Sequence, residues 1–292
     1  MSQFETVGLI TKSEDARLHQ ALQALLAQLR RRGLRVLADD SVPRSALGDG
    51  VLAVDAQQLG ADSDLIIALG GDGTLLAAAR RLVDFGVPIM GISLGRLGFL
   101  VDISPEEVDI RLDEILTGSY LSEDRFLIES TLLRADGPQA EPTVAFNDVV
   151  LHSRDAVRMI EFETFIDDRF VNVQRADGLI VSTPTGSTAY ALSGGGPIIH
   201  PELDAIVLVP ICPHTLSNRP LVVGASAEIE LRFSAHNRTP AQMSSDAQAN
   251  LDVGPGDRLL IRRYPTAVTL IHPPDHDYFH ILRAKLHWSE QP

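Results

Sequence analysis

The chain has 292 residues, 45% of them hydrophobic and 22% charged, with a formal net charge of −14 from 39 acidic against 25 basic side chains. That length suffices for two ordinary domains with real cores, and the composition is that of a globular protein. The negative balance argues against nucleic acid or an anionic membrane as partner, because both demand a positive field, and a single cysteine, Cys212, rules out an internal disulfide and suits a reducing cytoplasm.

The opening stretch, MSQFETVGLI, carries Glu5 and no basic leader, and is not expected to be a signal peptide. Residues 6–10 read as a short apolar strand. Leu18, Leu22, Leu25, Leu26 and Leu29 then recur at helical spacing, opened by Ser13 with Glu14 and Asp15 in the first turn and closed by Gly33. Residues 34–37, 64–69 and 87–92 read as further strands, with a helix pattern from Thr74. Ser104-Pro105-Glu106-Glu107 has the form of a capping box with proline at the first helical position, opening a helix that ends near Gly118. Strands alternating with helices predict parallel pairing with both faces covered, a doubly wound Rossmann-like α/β domain over residues 1–119.

From about Tyr120, period-2 and β-branched segments take over, at 126–133, 144–152, 159–166, 170–174, 178–183, 206–209, 228–233, 258–264 and 268–271. Asp167-Asp168 reads as a hairpin turn, and residues 187–193 as one inserted helical segment. So many short strands predict a β-sandwich-like domain over residues 120–272, followed by a C-terminal helix within 273–292 that packs back on the first domain. The longest clean apolar run, 205–213, is far shorter than the roughly 20 residues that span a membrane.

Two stretches carry chemistry. In DLIIALGGDGTLLAAARRL, residues 64–82, an apolar strand pattern runs into Gly70-Gly71 and out into a helix pattern, with Asp72 between. A glycine-rich turn at a helix N-terminus favours phosphate. A carboxylate there weakens phosphate binding unless it holds the accompanying Mg²⁺ or accepts a proton from the attacking group, and either role makes the loop catalytic. The competing reading is a tight turn in which aspartate bonds its own backbone. Lys12 and Lys285 are the only lysines and neither lies in a glycine-rich loop, so phosphate chemistry rests on backbone N–H groups, arginines and a metal ion. In RADGLIVSTPTGSTAYALSGGGP, residues 175–197, Thr185 to Thr188 form a hydroxyl-rich turn able to bond ring nitrogens. Asp177 suits a ribose or amide, Tyr190 offers a flat face, and Gly194 to Gly196 let backbone approach a ligand. A serine-rich loop with a helix cap fits the second stretch equally well.

With these residues in view the chain resembles the NAD kinases, which phosphorylate the 2′-hydroxyl of the adenosine ribose of NAD to make NADP. The resemblance runs from Val7 to Trp288. It is carried by GGDG at 70–73, LGFL at 97–100, FND at 146–148, MIEFE at 159–163, DGLIVSTPTGSTAYALSGGGPI at 177–198, HTLSNRP at 214–220 and LIHP at 270–273. GGDG is shared with diacylglycerol-type and sphingosine-type lipid kinases and with phosphofructokinases, whereas the long block is far more selective.

The resemblance implies ATP and NAD as substrates, Mg²⁺ or another divalent cation with the ATP, and a homodimer or homotetramer assembled through the β-rich half. It implies Asp72 as proton acceptor, with Gly73 beside it in the dinucleotide contact, and no residue assigned to a resident metal. Asn147 and Asp148 match an Asn-Glu pair that holds ribose hydroxyls, Asp148 being one methylene shorter than the usual Glu. Arg175 and Asp177 fall at dinucleotide contacts, and Thr188, Ala189, Tyr190, Ala191, Leu192 and Ser193 where the adenosine and nicotinamide portions are gripped. Gln248, in SSDAQ, matches the glutamine of a D-x-Q segment, and Arg158 a basic position near the cofactor phosphates. A lipid kinase on the same scaffold needs membrane approach, which −14 without a basic amphipathic helix disfavours. An NAD(H)-binding regulator that has lost phosphoryl transfer is the non-enzyme alternative, and an intact Asp72 speaks against it.

Three further features read as structural. His272, His276 and His280 stand four apart, but Pro273 and Pro274 break any helix between the first two, so the segment is taken as packing plus surface. Arg30-Arg31-Arg32 fits a solvated helix end, and Cys212, in an apolar run between prolines, fits buried packing.

Overall fold

The computed structural model describes residues 4–12, 16–48, 50–95, 97–155 and 158–288, so the expected cap at Ser13 with Glu14 and Asp15 lies outside the described residues. Backbone contacts divide the chain into two units, Met1–Asp124 with Val268–Pro292, and Arg125–Ala267.

The first unit runs β1 (Thr6–Thr11), α1 (Ala16–Arg31), β2 (Arg35–Asp39), β3 (Leu52–Val54), α2 (Ala56–Asp62), β4 (Leu65–Leu69), α3 (Asp72–Leu82), β5 (Ile89–Ile92) and α4 (Val108–Leu116). The strands lie parallel in the order β3-β2-β1-β4-β5. Every residue of β1 and β4 is buried, which is why both appear as unbroken apolar runs rather than alternating ones. The five leucines of α1 at helical spacing are each at most 2% exposed and join the strands in one core. Gly33, at φ +72°, closes the helix in the left-handed conformation.

Two elements of this unit were not foreseen. β3 is three residues long with two of them exposed, and α2 has seven residues, opened by Asp55 accepting the N–H of Gln58. Both are too short for hydrophobic periodicity to register. The Ser104 box also folds differently: Ser104 Oγ bonds Glu107 Oε2 at 2.6 Å and the backbone turns there, so α4 starts only at Val108.

The second unit is almost entirely β, as expected of a sandwich-like domain. Its elements are β6 (Leu121–Leu133, which begins in the first unit), β7 (Thr143–Ala145), β8 (Asp148–Ser153), β9 (Ile160–Ile166), β10 (Arg169–Ala176) and β11 (Gly178–Ser182). A 3₁₀ turn (Thr185–Thr188) and α5 (Tyr190–Ser193) follow, then β12 (Ala205–Ile211), β13 (Leu221–Gly224), β14 (Ile229–Phe233), β15 (Ala241–Ser245), β16 (Ala249–Val253) and β17 (Arg258–His272). One sheet joins β10-β9-β14-β17, with β6 against β17 and β7 against β6; the other is β13-β12-β11-β8-β15-β16. Phe162, Ile229 and Ile261 of the first sheet and Val149, Leu151 and Leu179 of the second share one core. Asp167 and Asp168 are both left-handed, at φ +49° and +61°, the backbone of a two-residue hairpin. The two strands expected at 258–264 and 268–271 are one, because Pro265 is exposed and leaves the strand unbroken. After β17 the chain closes with α6 (Tyr278–Leu286), capped by Asp277, whose carboxylate accepts the N–H groups of Phe279 and His280.

Candidate active site

β4 delivers Gly70 at its carboxyl end, where strand order turns back between β1 and β4. Ligands of doubly wound sheets bind at such a point. α3 starts at once, with Gly71 as cap and Asp72 as first residue, two residues before the start read from the sequence. The turn is tight: a β-carbon on Gly70 would lie 2.3 Å from Oγ1 of Thr74, whereas Gly71 and Gly73 face open space. First-turn N–H groups have no acceptor within their helix, so this end presents donors and the positive end of the dipole to solvent.

The Asp72 carboxylate is fixed by the segment after β5. Phe99 donates its N–H to Oδ2 at 2.8 Å, and Leu100 and Val101 donate theirs to Oδ1 at 3.1 Å each. Only glycine fits at 98, where a β-carbon would stand 1.7 Å from Oδ1. An ionised carboxylate offers about four lone-pair sites. Three are taken, and the one left is on Oδ2.

In the second unit a cavity of about 520 Å³ is lined by Asn147, Asp148, Asp177, Ala189 and Tyr190 together with the β15–β16 hairpin. Asp246 organises it. Its carboxylate accepts the N–H groups of Phe146, Asn147 and Asp148 at 2.9, 2.8 and 3.2 Å, which explains why residues 144–152 form two strands rather than the single one expected. From the other side Thr183 Oγ1 donates to the carbonyl of Phe146 at 2.7 Å and Ser182 Oγ to that of Asn147 at 3.1 Å. Asp246 and Ala247 are both left-handed, at φ +47° and +54°, a conformation Asp tolerates well. Asp148 is 6% exposed. Burial, and then the neighbouring Asp246 charge, push its carboxyl up to about 7. The acidic wall suits hydroxyl and amino donors rather than phosphate.

Of the other candidates, Arg158, Arg175, Ser193 and Gln248 are exposed, Thr188 and Leu192 are half-buried, and Ala191 is buried among Ile180, Val207 and Val209. None of these seven lines the cavity. Arg175 Nε lies 3.9 Å from Oε2 of Glu161. Asp72 and Gly73 belong to the first unit.

Several readings are corrected. The hydroxyls of the 185–188 turn bond the protein: Ser187 Oγ donates to the Pro184 carbonyl at 2.6 Å and accepts the Ile199 N–H at 3.0 Å, and Thr188 Oγ1 donates to the Thr185 carbonyl at 3.3 Å. Gly194 and Gly196 make room for Val209, 2.9 and 2.7 Å from where their β-carbons would stand, so they seat α5 on the sheet. Cys212 is exposed at the end of β12, at φ +45°. Arg30 and Arg31 are exposed, as a solvated helix end requires, whereas Arg32 is half-buried and pairs with Asp109 and Asp113 of α4. His272 is buried and His276 half-buried, and the two meet at Asp102, a contact the spacing did not foretell.

Gly98 and Asp246 are the residues that sequence reasoning missed. Both stood inside quoted motifs, LGFL and SSDAQ, without a role.

The family model described as the ATP-NAD kinase N-terminal domain matches residues 7–120, and that of the ATP-NAD kinase C-terminal domain matches 146–273. The chain is 47% identical to the NAD kinase of Chromohalobacter salexigens, covering 100% of this chain and 99% of that one. It is 48% identical to the NAD kinase of Nitrosococcus oceani, covering 99% and 98%. Among solved structures it is similar to yeast NADH kinase complexed with NADH, at a TM-score of 0.88 and 25% identity over 99% of this chain and 89% of that one. It is also similar to an NAD kinase from Archaeoglobus fulgidus in complex with ATP, at 0.74 and 26% over 97% and 98%.

Proposed function

The chain belongs to the ATP-NAD kinase family, and from that membership we propose how its residues transfer the γ-phosphoryl group of ATP to the 2′-hydroxyl of the adenosine ribose of NAD, giving NADP. The observation that carries the assignment is the single acceptor position left on Asp72. The ribose hydroxyl donates its proton to Oδ2 as its oxygen attacks the γ-phosphorus, the bond to the β-phosphate oxygen breaks, and ADP leaves. A base fixed by three N–H groups needs no reorganisation as the proton arrives, so positioning does most of the work. The Gly71–Gly73 N–H groups and the helix dipole receive phosphate charge. ATP arrives as its Mg²⁺ complex, the cation being part of the donor substrate.

NAD is held in the second unit. Asn147 and Asp148 take ribose hydroxyls, Asp177 takes a further hydroxyl or amide, and Tyr190 with Ala189 faces a ring. Thr188 and Ala191 to Ser193 shape the backbone beside them. Exposed Arg158, Arg175 and Gln248 reach the ligand's polar outer parts, the arginines its phosphates. Among the described residues no helix is long and apolar enough to cross a membrane, and we place the activity in the cytoplasm on the strength of the lone cysteine. Edge strand β10 exposes Phe170 and Val173, 57% and 52%, and edge strand β13 exposes Val222, 47%. Such apolar edges support assembly of two or four copies through the β-rich unit.

The test is incubation of purified protein with NAD, ATP and Mg²⁺, with NADP read by an NADP-specific dehydrogenase. Accumulation of NADP is expected. NAD binding without NADP would instead favour a binding-only regulator.

A further inference from the structure

His272, the last residue of β17, and His276 stack with ring centroids 4.0 Å apart and planes 26° from parallel. The prolines between them build the turn that brings the second ring back, the His276 N–H bonding the Pro273 carbonyl at 3.1 Å. One oxygen of Asp102, Oδ2, lies 2.8 Å from Nδ1 of His272 and 2.7 Å from Nδ1 of His276. An ionised carboxylate only accepts hydrogen bonds, so both Nδ1 atoms carry a proton, and in a neutral imidazole that leaves a lone pair on each Nε2. Both Nε2 atoms are buried and have no hydrogen-bond partner. Each faces one oxygen of Glu123 at 3.8 Å, His272 toward Oε2 and His276 toward Oε1. That distance is beyond a hydrogen bond.

Two buried imidazole lone pairs thus face the half-buried Glu123 carboxylate, with no hydrogen bond from either ring to it. A divalent cation between them would give each Nε2 the partner it lacks. Zinc bonds to nitrogen and oxygen of about 2.0–2.1 Å, meeting at the tetrahedral angle, set ligand atoms roughly 3.4 Å apart, and each nitrogen–oxygen separation of 3.8 Å is near that spacing. The Nδ1 side is already closed by direct hydrogen bonds, which makes Asp102 the outer partner that fixes both ring orientations. We propose that His272 Nε2, His276 Nε2 and the Glu123 carboxylate bind a zinc-class divalent cation, with Asp102 orienting the two imidazoles.

Two nitrogens and one carboxylate select zinc or another late first-row ion over Mg²⁺ and Ca²⁺, which prefer all-oxygen shells. The site is therefore separate from the cation that accompanies ATP. Among the described residues, Asp102, His272 and His276 form the one group of three or more such side chains with ligand atoms within 4.8 Å of one another, so the proposed site shares its two rings with that group and adds Glu123 from outside it. A cavity of about 450 Å³ lined by Asp102 and His276 gives the route to solvent. The ligands come from β17, from the turn before α6 and from the start of β6. Asp102 directly follows Val101, whose N–H holds Asp72. The cation would tie the C-terminal strand to the segment that fixes the catalytic carboxylate.

The test uses full-length protein stripped with a chelator and titrated by calorimetry with Zn²⁺ alone, in the absence of nucleotide. One equivalent is expected to bind and to raise the melting temperature. His276→Gln and Glu123→Gln should each weaken binding by about 100-fold or more, Asp102→Asn by about 10–100-fold, and His280→Gln not at all. Absence of stoichiometric binding, or affinity unchanged in His276→Gln and Glu123→Gln, overturns the proposal. Should those variants fail to fold, anomalous diffraction from zinc-soaked crystals of the unsubstituted protein decides it. Density between the two Nε2 atoms and Glu123 supports the site, and an ion elsewhere or none refutes it.

Discussion

A β-carbon on Gly98 would stand 1.7 Å from Oδ1 of Asp72, closer than any non-bonded pair tolerates. The loop after β5 and the first residue of α3 are thereby fitted to each other, and Gly98→Ala must push the carboxylate off its three N–H donors. A displacement of about 1 Å at a reacting group costs on the order of 100-fold in rate. Steady-state kinetics on Gly98→Ala should show kcat down by about that factor. The NAD dissociation constant should stay within about twofold, since the cavity assigned to NAD belongs to the other unit.

On the proposed role of Asp148 in holding a ribose hydroxyl, NAD recognition is expected to depend on pH. Its carboxyl is raised from the ordinary 3.8 to about 7, and the ionised form is the better acceptor for ribose hydroxyls. KM for NAD is expected to fall as pH rises through about 7, and Asp148→Asn should flatten that profile.

The same shift runs the other way for stability. The folded state keeps the proton between pH 3.8 and about 7 while the unfolded chain gives it up. Stability from this group is therefore full below 3.8 and is lost as pH rises to about 7, by an amount on the order of 4 kcal/mol at most. Asp148→Asn should melt higher than the parent at pH 8 and match it near pH 4.

Asp246 accepts three backbone N–H groups, all of which lose that acceptor once its side chain is gone. Asp246→Ala should destabilise the protein by about 3 kcal/mol or more, read as a lowered denaturation midpoint. NAD affinity should fall with it, because Asn147 and Asp148 lose their positions.

The features legible in the sequence are those written in local pattern. β1 and β4 show as apolar runs because both their faces are covered, α1 shows through its leucine stripe, and the Asp167-Asp168 turn through residue type. Asp72 draws attention in the sequence because a carboxylate in a phosphate-binding turn conflicts with the turn's own field. β3 and α2 were not legible, being too short to carry a period. Gly98 and Asp246 act across chain separations of 26 and 98 residues, on Asp72 and Asp148 respectively, and nothing in spacing announces such partners. The His272–His276 contact was not legible for a related reason. Pro273 and Pro274 do forbid a helix, but the turn they make brings the rings together more closely than a helical turn would.

The central claim is that Asp72 removes the ribose proton, and single-turnover phosphorylation by Asp72→Asn, measured beside its NAD dissociation constant, tests it most directly. Asparagine keeps the size and one acceptor oxygen but cannot take the proton. The account predicts NADP formation slower by about 1,000-fold or more, within the span general-base removal commonly shows, with NAD binding nearly unchanged. Turnover near that of the parent, or loss of NAD binding in place of turnover, would contradict it.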